Sequence, residues 1–165
     1  MDSIPISIEG YECIKLELER LKAERPAVIQ AIKEAREEGD LSENAGYDAA
    51  RERQGMLEAK ITYIESRMPY FNVVDLRSMG GNKVIFGATV RLADLDTDLE
   101  REYLLLGPDE TDFAKDKKAI SVFSPVGRAL LGKEVGDEVT VDAPRGKIQY
   151  EIISIQFNGP VISAG

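Results

Sequence analysis

Asp40 and Glu43 are the residues of this chain best suited to chemistry. They lie three apart in the run Gly39-Asp40-Leu41-Ser42-Glu43-Asn44, directly after Glu37 and Glu38. One reading of the pair is structural. An acid at a helix N-cap with another three residues on is a capping-box pattern, worth about 1 kcal/mol. The flanking Glu37 and Glu38 argue against it, because they fall where a preceding helix ends and negative charge is unfavourable there. The other reading is an incomplete metal site. Magnesium takes near-octahedral oxygen ligation, and two exposed carboxylates supply a fraction of it. In bulk water such a pair holds an ion weakly. Presented to another protein's enclosed acidic site, it would complete the shell of a catalytic ion.

Two amphipathic segments must position these acids. Before them, apolar residues fall at Ile14, Leu18, Leu21, Val28, Ile32 and Ala35, skipping Arg25. After them they fall at Tyr47, Ala50, Leu57, Ile61, Ile64 and Met68, with Gln54 in the vacant place. Two such seams separated by a short polar break predict an antiparallel helical hairpin. The first helix is read from about Gly10 to Glu38, roughly 40 Å long, with a kink or break near Pro26. The second runs from about Leu41 to Met68, with Asp40 as its N-cap and Gly39 ending the first helix in a left-handed conformation.

The period changes after Pro69. The run Ser78-Met79-Gly80-Gly81-Asn82 reads as a linker. Strand-like segments follow at 83–86, 88–92, 102–106 and 119–122, and a hairpin at 138–141 and 148–155. Pro125 to Leu131 reads as a short helix with Gly132 after it. The expected organisation is α+β: residues 1–76 as a coiled-coil hairpin with its tip at 39–44, residues 77–82 as linker, and 83–165 as a small antiparallel sheet with one short helix. Residues 1–9 read as an extended lead-in and 158–165 as a frayed end. Asp94, Asp96 and Asp98 resemble the start of a calcium loop, but Leu99 and Leu105 stand where glycine and glutamate are needed, so a hairpin turn is expected.

Composition narrows the functions. The formal net charge is −9, which argues against general nucleic-acid binding. There is no histidine, which removes the commonest general base and zinc ligand. Cys13 is the only cysteine, so no internal disulfide forms. With no apolar run of about 18 residues and no signal-peptide pattern, a cytoplasmic protein without membrane contact is expected.

The run Glu34-Ala35-Arg36, then Gly39 to Ala45, Tyr47, Ala49-Ala50-Arg51-Glu52 and Gln54-Gly55, resembles the signature of the bacterial Gre transcript-cleavage factors. Val84 to Val90 and Ser124 to Asp137 are similar to that family's C-terminal stretches. The resemblance covers roughly residues 4 to 156. It implies an FKBP-like C-terminal domain that binds bacterial RNA polymerase at the rim of its secondary channel, and a monomeric coiled coil that enters the channel. It makes Asp40 and Glu43 partial ligands of a magnesium ion shared with polymerase, which then cuts its own backtracked transcript. No nuclease activity of the factor alone is implied. Arg36, Arg51 and Arg53 become contacts to the RNA 3′ end, with salt bridges to Glu34, Glu37 or Glu52 as the plainer reading. Tyr47, Asn44 and Ser42 become tip supports, and Ser124, Pro125, Arg128, Leu131, Gly132 and Lys133 the polymerase contact. The chain departs from the family at Gly46, where an acid is usual.

Other classes stay in view. An FKBP-like sheet could be a prolyl isomerase, although the chain has no tryptophan to line such a pocket. A channel-blocking paralogue would carry more aspartate at the tip. A plain coiled-coil scaffold leaves the tip acids unexplained.

Overall fold

The computed structural model describes residues 2–39, 44–115 and 118–163. Two compact units emerge, one of Ile14–Tyr70 and one of Met1–Cys13 with Phe71–Gly165.

The first unit is the helical hairpin. Helix α1 spans Ile8–Glu37, its first residues belonging to the other unit, and α2 spans Ala45–Arg67 before a 3-10 turn at Met68–Tyr70. The predicted seams pack together. Leu21, Val28 and Ile32 bury against Ala50, Leu57 and Ile61, with Leu18, Tyr47 and Ile64 at the margin. Arg25 takes the skipped seam position and reaches across to Glu58, donating from Nε and Nη2 at 2.8 and 2.7 Å. That bond holds the Glu58 carboxyl below its ordinary range. Lys22 meets Glu65 at 3.1 Å. The break expected at Pro26 does not occur, and α1 runs unbroken through it. A proline forfeits one backbone bond, while Leu21 and Val28, only 3% and 1% exposed, fasten the helix on either side.

The second unit is built on a five-stranded sheet. Its strands are β3 (Thr89–Asp94), β4 (Glu100–Leu106), β5 (Ala119–Ser121), β6 (Glu138–Ala143) and β7 (Gly146–Gln156), in the order β5-β4-β3-β7-β6. All pairs are antiparallel except β4–β5, which is parallel. Helix α3, Pro125–Leu130, starts as predicted, with Ser124 Oγ accepting from the Gly127 amide at 3.1 Å. The core gathers Val90, Leu92, Leu105, Leu106, Leu130 and Ile152. Asp94 to Asp98 form the β3–β4 turn, in which Asp94 Oδ1 accepts from the Asp96 amide at 2.8 Å.

Several expectations are corrected here. Residues 1–9 are not merely a lead-in: strand β1 (Ile4–Ser7) pairs in parallel with β2 (Phe71–Val74), and Tyr11 packs edge-on against Phe71. This ladder moves both segments out of the hairpin unit, and part of the supposed linker is a 3-10 turn, Leu76–Ser78, anchored by buried Leu76. Residues 83–86 form no strand. Val84 and Phe86 are buried, but among the described residues their segment pairs only through an isolated bridge from Lys83 to Glu134. Nor are residues 158–163 frayed, because Ile162 is 5% exposed within the core; the last two residues of that expectation lie outside the described residues.

One residue ties this unit together that sequence reading passed over. Glu110 is fully buried, and its carboxylate accepts the Ser7 amide at 3.1 Å, the Gly107 amide at 2.9 Å and the Ser7 hydroxyl. Ser7 Oγ in turn accepts from the Gly10 amide at 3.0 Å, capping α1. The approach is so close that a Cβ at Gly10 would lie 2.3 Å from Glu110 Oε1, and one at Gly107 would lie 1.8 Å from the Pro5 carbonyl oxygen.

Candidate functional site

Asp40, Leu41, Ser42 and Glu43 lie outside the described residues, so the site is built from its two flanks. On the first, α1 ends at Glu37, the Glu38 amide donates to the Ala35 carbonyl at 3.3 Å, and Gly39 takes φ +122. A positive φ there is what glycine was expected to supply.

On the second flank, Asn44 is the N-cap of α2, with φ −90 and ψ 95. Its Oδ1 accepts from the Tyr47 amide at 2.9 Å. Its Nδ2 donates to the Ala35 carbonyl at 2.6 Å. This corrects the expectation that Asp40 caps the second helix. The helix starts at Ala45, so the capping position belongs to Asn44, and Asp40 and Glu43 precede it. A carboxamide serves both ends at once: it satisfies an orphan amide of α2 and gives the Ala35 carbonyl of α1 a second donor beside the Glu38 amide. The local capping-box pattern could not reveal this, because the deciding partner is Ala35.

The three arginines divide. Arg36, in the last turn of α1, holds its guanidinium carbon 5.9 Å from the centre of the Tyr47 ring. Arg51 stands one turn beyond Tyr47 on α2 and is exposed. Arg53 is only two residues from Arg51, which places it on a different side of the helix. It lines a groove along the hairpin with Arg20, Glu24, Met56 and Lys60. Thus Arg36, Tyr47 and Arg51 form one neighbourhood, and Arg53 belongs to another.

Around α3, the named residues also separate by role. Ser124 caps the helix, and Gly132, at φ +82, passes its amide to the Val84 carbonyl at 2.8 Å. Pro125, Arg128, Leu131 and Lys133 are exposed. Phe123 and Val135, 43% and 57% exposed, flank the same helix and were missed. Their signal, an isolated apolar residue on either side of the helix, is indistinguishable in sequence from core.

Oxygen donors such as the two tip acids suit magnesium, but a pair fills only part of its shell. Among the described residues no cluster of three or more acids or cysteines converges on a metal-sized space. No helix among them is long and apolar enough to cross a membrane.

Comparison with known proteins gives a consistent result. The family model described as "Transcription elongation factor, N-terminal" matches residues 4–73, and "Transcription elongation factor, GreA/GreB, C-term" matches residues 79–157. The transcription elongation factor GreA of Nitratidesulfovibrio vulgaris (strain DP4) is 70% identical over 159 residues, covering 96% of each chain. That of Francisella tularensis subsp. novicida is 48% identical over 158 residues, covering 94% of this chain and 98% of its own. Among solved structures, Gfh1 of Thermus thermophilus aligns at 27% identity and TM-score 0.43, over 93% of this chain and 99% of its own.

Proposed function

This chain belongs to the GreA/GreB family of transcription elongation factors, and from that premise we propose that it rescues arrested bacterial RNA polymerase. The sheet unit anchors it to polymerase, and the hairpin enters the secondary channel. There Asp40 and Glu43 stimulate the enzyme's own cleavage of a backtracked transcript.

The observation that carries this reading is the cap at Asn44. With that position taken, neither acid is the N-cap of α2. Magnesium, when held jointly with polymerase, would polarise the scissile phosphate and lower the pKa of an attacking water. The chain's own part is to supply two oxygen ligands, held by Asp40 and Glu43, and to exclude other solutes from the channel. Arg36 and Arg51 neutralise phosphates of the displaced RNA 3′ end, a role of position rather than sequence recognition. Tyr47 holds Arg36 by its ring face.

The test is direct. Added to stalled, backtracked polymerase with magnesium, the protein should release short 3′ fragments and restore elongation. The same RNA without polymerase should stay intact. Transcripts of unchanged length on polymerase would overturn the proposal.

The anchor makes its own prediction. Joining Arg128→Glu to Leu131→Asp places acid where the exposed face of α3 is basic and apolar. Polymerase affinity should fall at least about tenfold, while the far-ultraviolet helical signal stays at the wild-type level. An unchanged titration against labelled polymerase would move the anchor elsewhere.

A further inference from the structure

The chain has asparagines at 44, 72, 82 and 158, and the fold treats their carboxamides differently. Asn44 is held from both ends, its Oδ1 accepting from the Tyr47 amide at 2.9 Å and its Nδ2 donating to the Ala35 carbonyl at 2.6 Å. Asn72 lies in β2 opposite Pro5, and the branched side chain of Val73 crowds the next amide nitrogen. Asn82 is followed by Lys83, which the bridge to Glu134 ties down. Asn158 has none of these restraints. It is exposed, and its successor is glycine. Its Nδ2 reaches Thr89 Oγ1 at 3.5 Å, longer than an N–H···O bond usually runs.

Gly159 completes the arrangement. It takes φ +72, and no described residue accepts a backbone bond from its amide. Nothing lies within 4 Å of where its Cβ would be, and without a Cβ the nitrogen itself is uncrowded. Just beyond, Val161 and Ile162 return to the core, and the Ser163 carbonyl accepts from Cys13 Sγ at 3.8 Å. The strap from β7 to that anchor therefore turns at the exposed Asn158-Gly159 step.

We propose that Asn158 is a modification site, the asparagine of this chain that deamidates first in the folded protein. The Gly159 amide nitrogen, its proton taken by water or hydroxide, attacks Asn158 Cγ. The N–Cγ bond forms, the Cγ–Nδ2 bond breaks, and ammonia leaves with a proton from solvent. Water then opens the resulting succinimide at either ring carbonyl. One opening gives aspartate. The other gives isoaspartate, in which the main chain runs through Cβ and Cγ. Nothing is oxidised or reduced. Either product adds a negative charge, and isoaspartate also lengthens the backbone by a methylene just ahead of the anchor at 161–162.

The test follows the folded, full-length protein in mildly alkaline buffer, beside the same chain unfolded in guanidinium chloride. Peptide mapping by mass spectrometry locates each conversion, and the unfolded chain sets the rate that sequence alone allows. Folded wild type should convert Asn158 within several-fold of that rate, giving separable aspartyl and isoaspartyl peptides, while Asn44, Asn72 and Asn82 keep their amides. Gly159→Ala should slow the conversion several-fold, because a Cβ then crowds the attacking nitrogen. Asn158→Gln should abolish it, because the larger ring closes slowly. Circular dichroism establishes that each variant is folded.

An intact Asn158 in the folded protein, after the unfolded chain has converted, would overturn the proposal. So would earlier conversion at Asn82, or conversion of the same peptide at the wild-type rate in Asn158→Gln, which needs no change at the glycine.

Discussion

Replacing Asp40 with Asn and Glu43 with Gln in one chain should lower stimulated transcript cleavage by about 100-fold or more, since each 1.36 kcal/mol of lost transition-state stabilisation is tenfold in rate. The substitutions keep size and remove charge. Metal ligation by a carboxylate contributes several kcal/mol that a neutral amide cannot match. Stability should hold, because the cap of α2 belongs to Asn44 and not to either acid. Polymerase affinity should hold as well, since the anchor lies in the sheet unit, so the double variant should compete with wild type and inhibit rescue. Cleavage rate, melting temperature and competition are read on the same protein. Retained cleavage would sink the metal reading, whereas a fall in all three would show that the acids have a structural duty after all.

The second large effect concerns Glu110. Glu110→Ala should destabilise the chain by about 3 kcal/mol or more, because each buried donor left without an acceptor costs about 1–3 kcal/mol. The stranded donors would be the Ser7 amide, the Gly107 amide and the Ser7 hydroxyl. The wild-type residue also makes stability depend on pH. Burial pushes the Glu110 carboxyl above its ordinary value of 4.5, and hydrogen bonds from Ser7 and Gly107 pull only partly against it. A carboxyl raised in the folded state binds its proton more tightly there than in the unfolded chain. Its contribution is complete below about pH 4.5 and is lost as pH rises through the folded value. Glu110→Gln cannot titrate, so wild type should exceed it by most at low pH, with the gap narrowing as pH rises. Denaturant unfolding at a series of pH values measures the gap, and a constant difference would contradict the assignment.

The hairpin was legible because its signal is periodic and local. The seam from Ile14 to Met68 repeats often enough that Arg25 and Gln54 do not obscure it. What failed were features decided by distant partners. Pro26 was read by its intrinsic cost, but packing of Leu21 and Val28 on α2 outweighs that cost. Asp40 and Glu43 carried a good capping pattern, yet Asn44 holds the position because Ala35 supplies a second partner. Residues 83–86 are apolar because Val84 and Phe86 are buried, not because they pair. Glu110 looked like any loop acid, and only Ser7, across most of the chain, reveals its use. At the site, the acids stood out by residue type and spacing and the three arginines through the family resemblance, whereas the separation of Arg53 from Arg51 follows from helical geometry that the motif alone did not weigh.

The parallel ladder that runs from Ile4 opposite Phe71 to Ser7 opposite Val74 bears on how the chain comes to fold at all. Its strands are separated by the whole hairpin, and closing so long a loop of free chain would exact conformational entropy before any ladder bond formed. The hairpin's contacts are between near neighbours around one turn, the kind that form early. Once Leu18 and Leu21 have met Ile61 and Ile64 at its open end, the two segments leaving it start out side by side. By that arithmetic the arm works as an assembly jig: the loop left to close between the upstream and downstream strands of the ladder is far shorter once the hairpin has zipped.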